Sequence, residues 1–142
     1  MRYQGTTPVP NEVFDVWLPL LSESEYKILC IIIRQTYGWV DTKTGGRKMR
    51  DRISHGQFVK KTKLSRRAVS SGVEGLVAKG LISITSHSGK SLHLREERRG
   101  KTVLYYNFNL STQRSQHLRN GPTIKMAHPI GLRSVGEVLR NY

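Results

Sequence analysis

Cysteine is nearly absent from this sequence. The one thiol, Cys30, lies inside the apolar run Ile-Leu-Cys-Ile-Ile-Ile. No disulfide framework and no cysteine zinc site can be built from it, and it reads as a small buried hydrophobe. Long hydrophobic runs are missing too. The longest, Ile28–Ile33, is far below the ~20 apolar residues that cross a bilayer. The opening MRYQGTTPVP lacks the apolar segment of a signal peptide. These absences predict a soluble, reduced, intracellular protein. Acidic side chains are also scarce, 10 Asp and Glu against 24 Lys and Arg, for a formal net charge of +14 on 142 residues. A field of that size favours a polyanion, and nucleic acid is the first candidate.

The same scarcity argues against an enzyme. A metal-dependent nuclease needs clustered carboxylates, and the one adjacent pair, Glu96-Glu97, lies among arginines. The five histidines, His55, His87, His93, His117 and His128, make no i, i+4 pair and no HExxH. His87 and His93 do not form the His-hydrophobe-His pair of a rolling-circle nickase. No catalytic residue, metal or cofactor is expected. The hydrophobic fraction, 37%, supports one modest core, and the length fits one domain with a tail.

What is present is organised around residues 54–80. Ser54 with Gln57 reads as a capping box opening a short helix with Phe58 and Val59 on its apolar side. Ser65 caps a second helix, in which Ala68, Val69, Val73, Leu76 and Val77 share one face. Gly80 stands where that helix should stop. Its opposite face carries Arg66, Arg67, Ser70, Ser71 and Glu74. Arginines in a first helical turn oppose the helix dipole, so their reason lies elsewhere. A helix-turn-helix with this pattern is suited to phosphates and base edges.

Before this motif, residues 1–9 read as an extended arm. Asn11 is expected to cap a short amphipathic helix with Val13, Phe14 and Trp17 on one side, limited by Pro19. Ser22 and Glu25 form another capping box for a helix over about 23–36, with Tyr26, Leu29, Ile32 and Ile33 as its stripe, widened by Ile28 and Ile31. Gly38 should end it and Trp39 fold back on it. Residues 40–52 read as a flexible basic loop holding Arg47, Lys48 and Arg50. It is either a solvated surface loop or a phosphate-contacting one, and it is not a Walker A loop. Ile53 is expected to pair as a strand of one or two residues.

After Gly80 the period becomes two. Ile82 and Ile84 alternate with polar residues, and Leu104, Tyr106, Phe108 and Leu110 mark the partner strand. Between them runs a long polar hairpin with Lys90, Arg95, Arg98 and Arg99, and Lys101 at its base, which Leu92 and Leu94 extend as strand. The order predicts an α+β winged helix-turn-helix of about four helices with a two-stranded antiparallel β-hairpin wing. Residues 1–110 would form this domain. Residues 111–142, richer in Ser, Gln, Asn, Gly and Pro, read as a basic tail, a linker with a dimerisation or partner-docking segment near SVGEVLRNY.

The run from Thr7 through Trp39, followed by DRIS and LSRRAVSSGVEGLVAKGLI, resembles the N-terminal domain of the phage replication protein O family over about residues 6–85. The pieces that carry the likeness are Pro10-Asn11-Glu12, Leu21-Ser22, Thr36-Tyr37-Gly38-Trp39 and Leu64-Ser65-Arg66-Arg67. Tyr-Gly-Trp is the most specific of them. The resemblance implies a winged helix that binds repeated sites at a replication origin, usually as a dimer, and recruits the replicative helicase or its loader. It places the protein in the bacterial cytoplasm, at the nucleoid.

The leading reading is sequence-specific binding of double-stranded DNA in replication initiation of a phage, plasmid or mobile element. Ser65, Arg66, Arg67, Ser70, Ser71 and Glu74 would read the major groove. Lys60, Lys61 and Lys63, with Arg47, Lys48 and Arg50 from the loop, would hold backbone. Lys90, Arg95, Arg98, Arg99 and Lys101 would act from the wing. Gly72 and Gly75, each about 1 kcal/mol worse than alanine in a helix, would allow close approach to DNA or to the first helix. The same fold could serve a transcriptional regulator. A reading of another class is an adaptor that grips a protein partner, with DNA binding incidental.

Overall fold

A computed structural model of the chain describes residues 4–109. The tail 111–142, with its expected docking helix, lies outside the described residues. Within them, contacts separate two units, residues 4–9 with 22–109, and Pro10–Leu21.

In the smaller unit, Val13–Trp17 is a π turn and Leu18–Leu20 a 3-10 turn. Asn11 does not act as the expected cap. The Val13 N–H donates to the Pro10 carbonyl at 3.0 Å, which puts Asn11 inside the first turn. Pro19 falls at the second position of the 3-10 turn, where its missing N–H would have had no partner in any case.

The larger unit begins with helix α1, Glu23–Gln35. Ser22 Oγ accepts from the Glu25 N–H at 3.2 Å, and the Ser22 N–H donates to Glu25 Oε1 at 2.8 Å. The buried stripe is Ile28, Leu29, Ile32 and Ile33. Tyr26 and Ile31 flank it half-buried. Trp39 folds back as expected, with the Arg34 guanidinium 5.0 Å from its ring centroid, yet it stays 52% exposed.

Residues 40–52 are more ordered than a flexible loop. Val40 and Arg47 form an isolated antiparallel bridge, Asp41 and Gly46 are hydrogen-bonded, and the Lys48 N–H donates to the Trp39 carbonyl. Arg50–Arg52 then forms strand β1. The expected strand residue, Ile53, lies just past it and donates its N–H to Leu104.

Helices α2, His55–Thr62, and α3, Arg66–Ala78, match the expected pair. Ser54 and Gln57 make the reciprocal capping box, and Ser65 Oγ accepts from the Ala68 N–H at 3.1 Å. The turn between them places Lys63 at φ 61°. Gly80, at φ 70°, lets the Leu81 N–H reach back to the Leu76 carbonyl and close α3.

Strands β2, Ile82–Thr85, and β3, Tyr105–Phe108, pair antiparallel with Ile82 opposite Phe108 and Ile84 opposite Tyr106. β1 pairs with the other edge of β3, giving a three-stranded sheet in the order β1-β3-β2. The expected wing had two strands, and the third lies just before Ile53, where a strand of one or two residues was expected. A three-residue charged segment, Arg-Asp-Arg, carries no alternation, so nothing in its own pattern marks β1 as a strand. The connection from β2 to β3 is also not a simple hairpin. A tight turn at Ser86–Lys90 returns to a bridge between Thr85 and Ser91, the Leu92 N–H donates to the Ile84 carbonyl, and Arg95–Arg98 makes one helical turn, α4. Leu92 is buried, whereas Leu94 is exposed. Phe58 meets Tyr106 edge-on at 5.1 Å, and Tyr37 meets Phe108 at 5.7 Å, joining helices to sheet. Among the described residues no helix is long and apolar enough to cross a membrane.

The α1–α3 crossing explains the two glycines in α3. A Cβ on Gly72 would sit 2.6 Å from Ile28 Cδ1 and 3.1 Å from the Ser24 carbonyl carbon, and one on Gly75 would sit 2.3 Å from Glu25 Oε2. The close approach is to α1. Glu25 is only 7% exposed and pairs with Lys79 at 2.6 Å. Burial by itself raises the pKa of its carboxyl, but hydrogen bonds from Lys79 and Ser22 and the lysine charge outweigh burial and hold it below the ordinary 4.5.

Two outcomes follow from this packing. Alanine at an exposed helical glycine stabilises by about 1 kcal/mol. Here Gly72→Ala and Gly75→Ala should each destabilise, by about 1–3 kcal/mol in a urea titration, because the neighbour that must move is packed or already hydrogen-bonded. Second, a carboxyl whose pKa falls on folding contributes stability that is complete above its unfolded value and fades as pH drops through the folded one. Glu25→Gln should therefore lower the urea midpoint at pH about 7 and flatten its loss toward pH about 3.

Candidate nucleic-acid interface

One face of α3 is sunk on α1 through Val69, Gly72, Val73 and Leu76. The 3.6-residue period then turns Arg66, Arg67 and Ser71 outward, where all three are exposed, with Ser70 half-buried beside them. Ser65 is exposed, but its hydroxyl is engaged as the cap. A surface depression of about 520 Å³ is lined by Arg66, Arg67, Ser70, Ser71, Glu74 and Arg95. The structure thus brings together the outward face expected of the second helix and adds an arginine from α4.

A larger groove of about 760 Å³ adjoins it. One wall is the start of α2, Ser54–Gly56, with Ser70, Val73 and Glu74 of α3. The other is Arg95, Arg99, Lys101 and Thr102. Tyr106 is part of its lining. Burial pushes the Tyr106 hydroxyl up to about 12, with Arg98 acting to lower it and Glu74 to raise it.

The expected cations sort into two groups. Lys60, Lys61, Lys63, Arg66, Arg67, Lys90, Arg95, Arg99 and Lys101 are exposed, and none has an ion-pair partner among the described residues. The others are engaged. Arg50, expected as a free loop cation, stands in β1. Its guanidinium donates to Thr85 Oγ1 at 3.1 Å and to the carbonyls of Ser86 and His87, and lies 4.5 Å from the Tyr105 ring centroid. It clamps the sheet to the 86–90 turn. Lys48 pairs with Asp51 at 2.5 Å. Arg47 reaches the Tyr37 carbonyl at 3.4 Å but remains exposed.

Two further assignments need correction. Arg98, expected on the wing surface, is only 8% exposed and donates to the carbonyls of Leu92 and His93 at 2.8 and 2.7 Å. Its other nitrogen binds the carboxylate of Glu74. Arg98 is therefore no free cation, and Glu74 no free acceptor for a base. The physical reason is that a buried guanidinium needs a counter-charge and several acceptors, and Glu74 of α3 supplies the carboxylate. Nothing local in the sequence marks a pair 24 residues apart.

Sequence reasoning also passed over His55. Its Nε2 lies 3.0 Å from the Arg66 carbonyl, so the Nε2–H tautomer donates across from the start of α2 to the start of α3. That bond links the first residue of α2 to the first residue of α3. The sequence signal for it was only the position of a histidine beside a cap.

A family model described as bacteriophage replication protein O matches residues 3–94. No curated protein matches the chain, and no solved structure does.

Two variants separate reading from holding at this surface. Arg67→Ala should cost about 1–3 kcal/mol on a preferred duplex and much less on others if the guanidinium reads a base, and an equal loss on all sequences would make it a phosphate contact. Lys63→Gly should keep or raise thermal stability, since glycine occupies the left-handed region without strain. It should lower affinity for every duplex alike, with the slope of log K against log salt falling by about 1.

Proposed function

The chain belongs to the bacteriophage replication protein O family, which ties it to phage replication, and from that premise we propose that it binds double-stranded DNA sequence-specifically to initiate replication. It acts as a binding protein, not an enzyme. The observation that carries this reading is the outward face of α3, where Arg66, Arg67, Ser70 and Ser71 share one depression with Arg95.

The element order also supports a winged helix-turn-helix. α1, β1, α2 and α3 precede two antiparallel strands, and the turn after β2 would form the tip of the wing with Lys90. In such a fold α3 enters the major groove by its N-terminal residues. Arg66 and Arg67 occupy that end. Arginine pairs with guanine O6 and N7, and serine hydroxyls adapt to any base edge. Lys60, Lys61 and Lys63 would hold phosphates on the approach side. Origin binding as a dimer and recruitment of a helicase or its loader complete the proposal.

The test is a footprint on the genome fragment that encodes the protein, at near-physiological salt with excess competitor DNA. The competitor matters because a chain of net charge +14 binds any duplex at low salt through counterion release. Protection of clustered short repeats is the expected result. A single protected palindrome over a promoter would make the protein a transcriptional regulator. Salt-sensitive smearing without protection would overturn sequence-specific binding and favour the adaptor reading.

A further inference from the structure

α4 is a helix of four residues, Arg95–Arg98. One turn cannot hold itself together in water, because nucleation fixes several residues for a single hydrogen bond. Helices of this size persist when a side chain anchors them. No apolar side chain does so here. Leu94 is 62% exposed, and of the residues in α4 only Arg98 is buried.

The chain on either side is fixed at two points. Before α4, Leu92 is buried and hydrogen-bonded to Ile84 at 2.8 Å. After it, the chain enters β3 at Tyr105. Between those points the one ion pair that joins this segment to α3, among the described residues, is Arg98 with Glu74. The same guanidinium gathers the carbonyls of Leu92 and His93, so it closes the segment on itself and on the helix together.

We propose that the Glu74–Arg98 pair is a clasp that positions Arg95, Arg99 and Lys101 beside α3, so that they meet the same duplex as Arg66 and Arg67. This rests on the DNA-binding reading above and adds to it how the basic surface is assembled. Glu74 and Arg98 are positioning residues under this proposal, and the contacts to DNA are made by their neighbours. Breaking the pair leaves a buried charge without its counter-ion, which drives the segment outward to water. Three exposed cations then lose their fixed place, and the entropy of ordering them again falls on binding.

Glu74→Gln tests this by its sign. Taking an anion off a DNA-facing surface strengthens binding by Coulomb attraction alone. The clasp requires the reverse. On a duplex of arbitrary sequence near physiological salt, Glu74→Gln should bind about tenfold more weakly, with the slope of log K against log salt reduced by about 2–3. Arg98→Met should do the same. A triple variant, Arg95→Ala with Arg99→Ala and Lys101→Ala, should reproduce the loss, and adding Glu74→Gln to it should cause no further loss.

In the free protein, trypsin should cut after Arg95, Arg99 and Lys101 faster in Glu74→Gln than in the parent, with α-helical circular dichroism unchanged. The amide is close to isosteric, so this variant carries the test if Arg98→Met does not fold. Equal or tighter binding by Glu74→Gln, an unchanged slope, or unchanged cleavage at those sites would overturn the clasp. Because the duplex is arbitrary and the cleavage needs no DNA, these failures are distinct from failure to find a preferred site. That second failure would remove sequence specificity and leave the clasp standing.

Discussion

α1 and α3 approach closely where two glycines face the first turns of α1, and the outward face of α3 depends on that contact. Two glycines on α3 remove the Cβ atoms that would strike Ile28, Ser24 and Glu25. The helix loses intrinsic propensity at both positions, about 1 kcal/mol each relative to alanine. In return the helices come close at Gly72 and Gly75, and Ile28, Leu29, Ile32 and Ile33 of α1 and Val69, Val73 and Leu76 of α3 are all buried. The Glu25 carboxylate lies over Gly75, caps its own helix through Ser22 and takes Lys79 from the end of α3. One side chain thus joins a local cap to a tertiary contact. Once this face is committed to α1, helical geometry leaves Arg66, Arg67 and Ser71 pointing outward.

The excess of positive charge is divided by chemistry. Arg50 and Arg98 each satisfy several acceptors at once, two or more of them main-chain carbonyls. A planar guanidinium with five donors suits that work, where an ammonium would not. Lys60, Lys61 and Lys63 remain on the exposed end of α2 and its turn. Lysine is a hydrated point charge on a flexible stem, suited to phosphates whose positions vary. The scarcity of acids sharpens the division. Carboxylates at Glu25, Asp51 and Glu74 are each bound to a cation within the fold.

The sheet shows how a weak strand is recruited. β3 alternates buried and half-buried residues and pairs with both neighbours. β2 shares that alternation, and the two would be recognised as a pair in any context. β1 has no apolar residue. It is held by backbone bonds to β3 and by the Arg50 clamp, which gives a short charged segment a reason to be extended. The 86–104 connection is similar. Leu92 is buried and hydrogen-bonded to Ile84, while Leu94, two residues on, stands exposed as the residue that opens α4.

Sequence alone determined the elements whose signals are local. Caps at Ser22, Ser54 and Ser65, the stop at Gly80, the stripe of α1 at Leu29, Ile32 and Ile33 and the alternation at Ile82–Ile84 all act over a few residues, and each stands where it was expected. The outward face of α3 follows from the same periodicity, and the family likeness rests on short motifs of that kind. Tertiary structure alone decided the pairing of β1, the replacement of a plain hairpin by α4, the partner approached by Gly72 and Gly75, and the removal of Arg50, Glu74 and Arg98 from the free surface. Those outcomes depend on groups 24 to 57 residues apart, from Glu74–Arg98 and Glu25–Lys79 to Arg50 opposite Asn107. Charge identity specifies that such a residue needs a partner, but only the packed chain brings one within reach and removes the water that would otherwise serve.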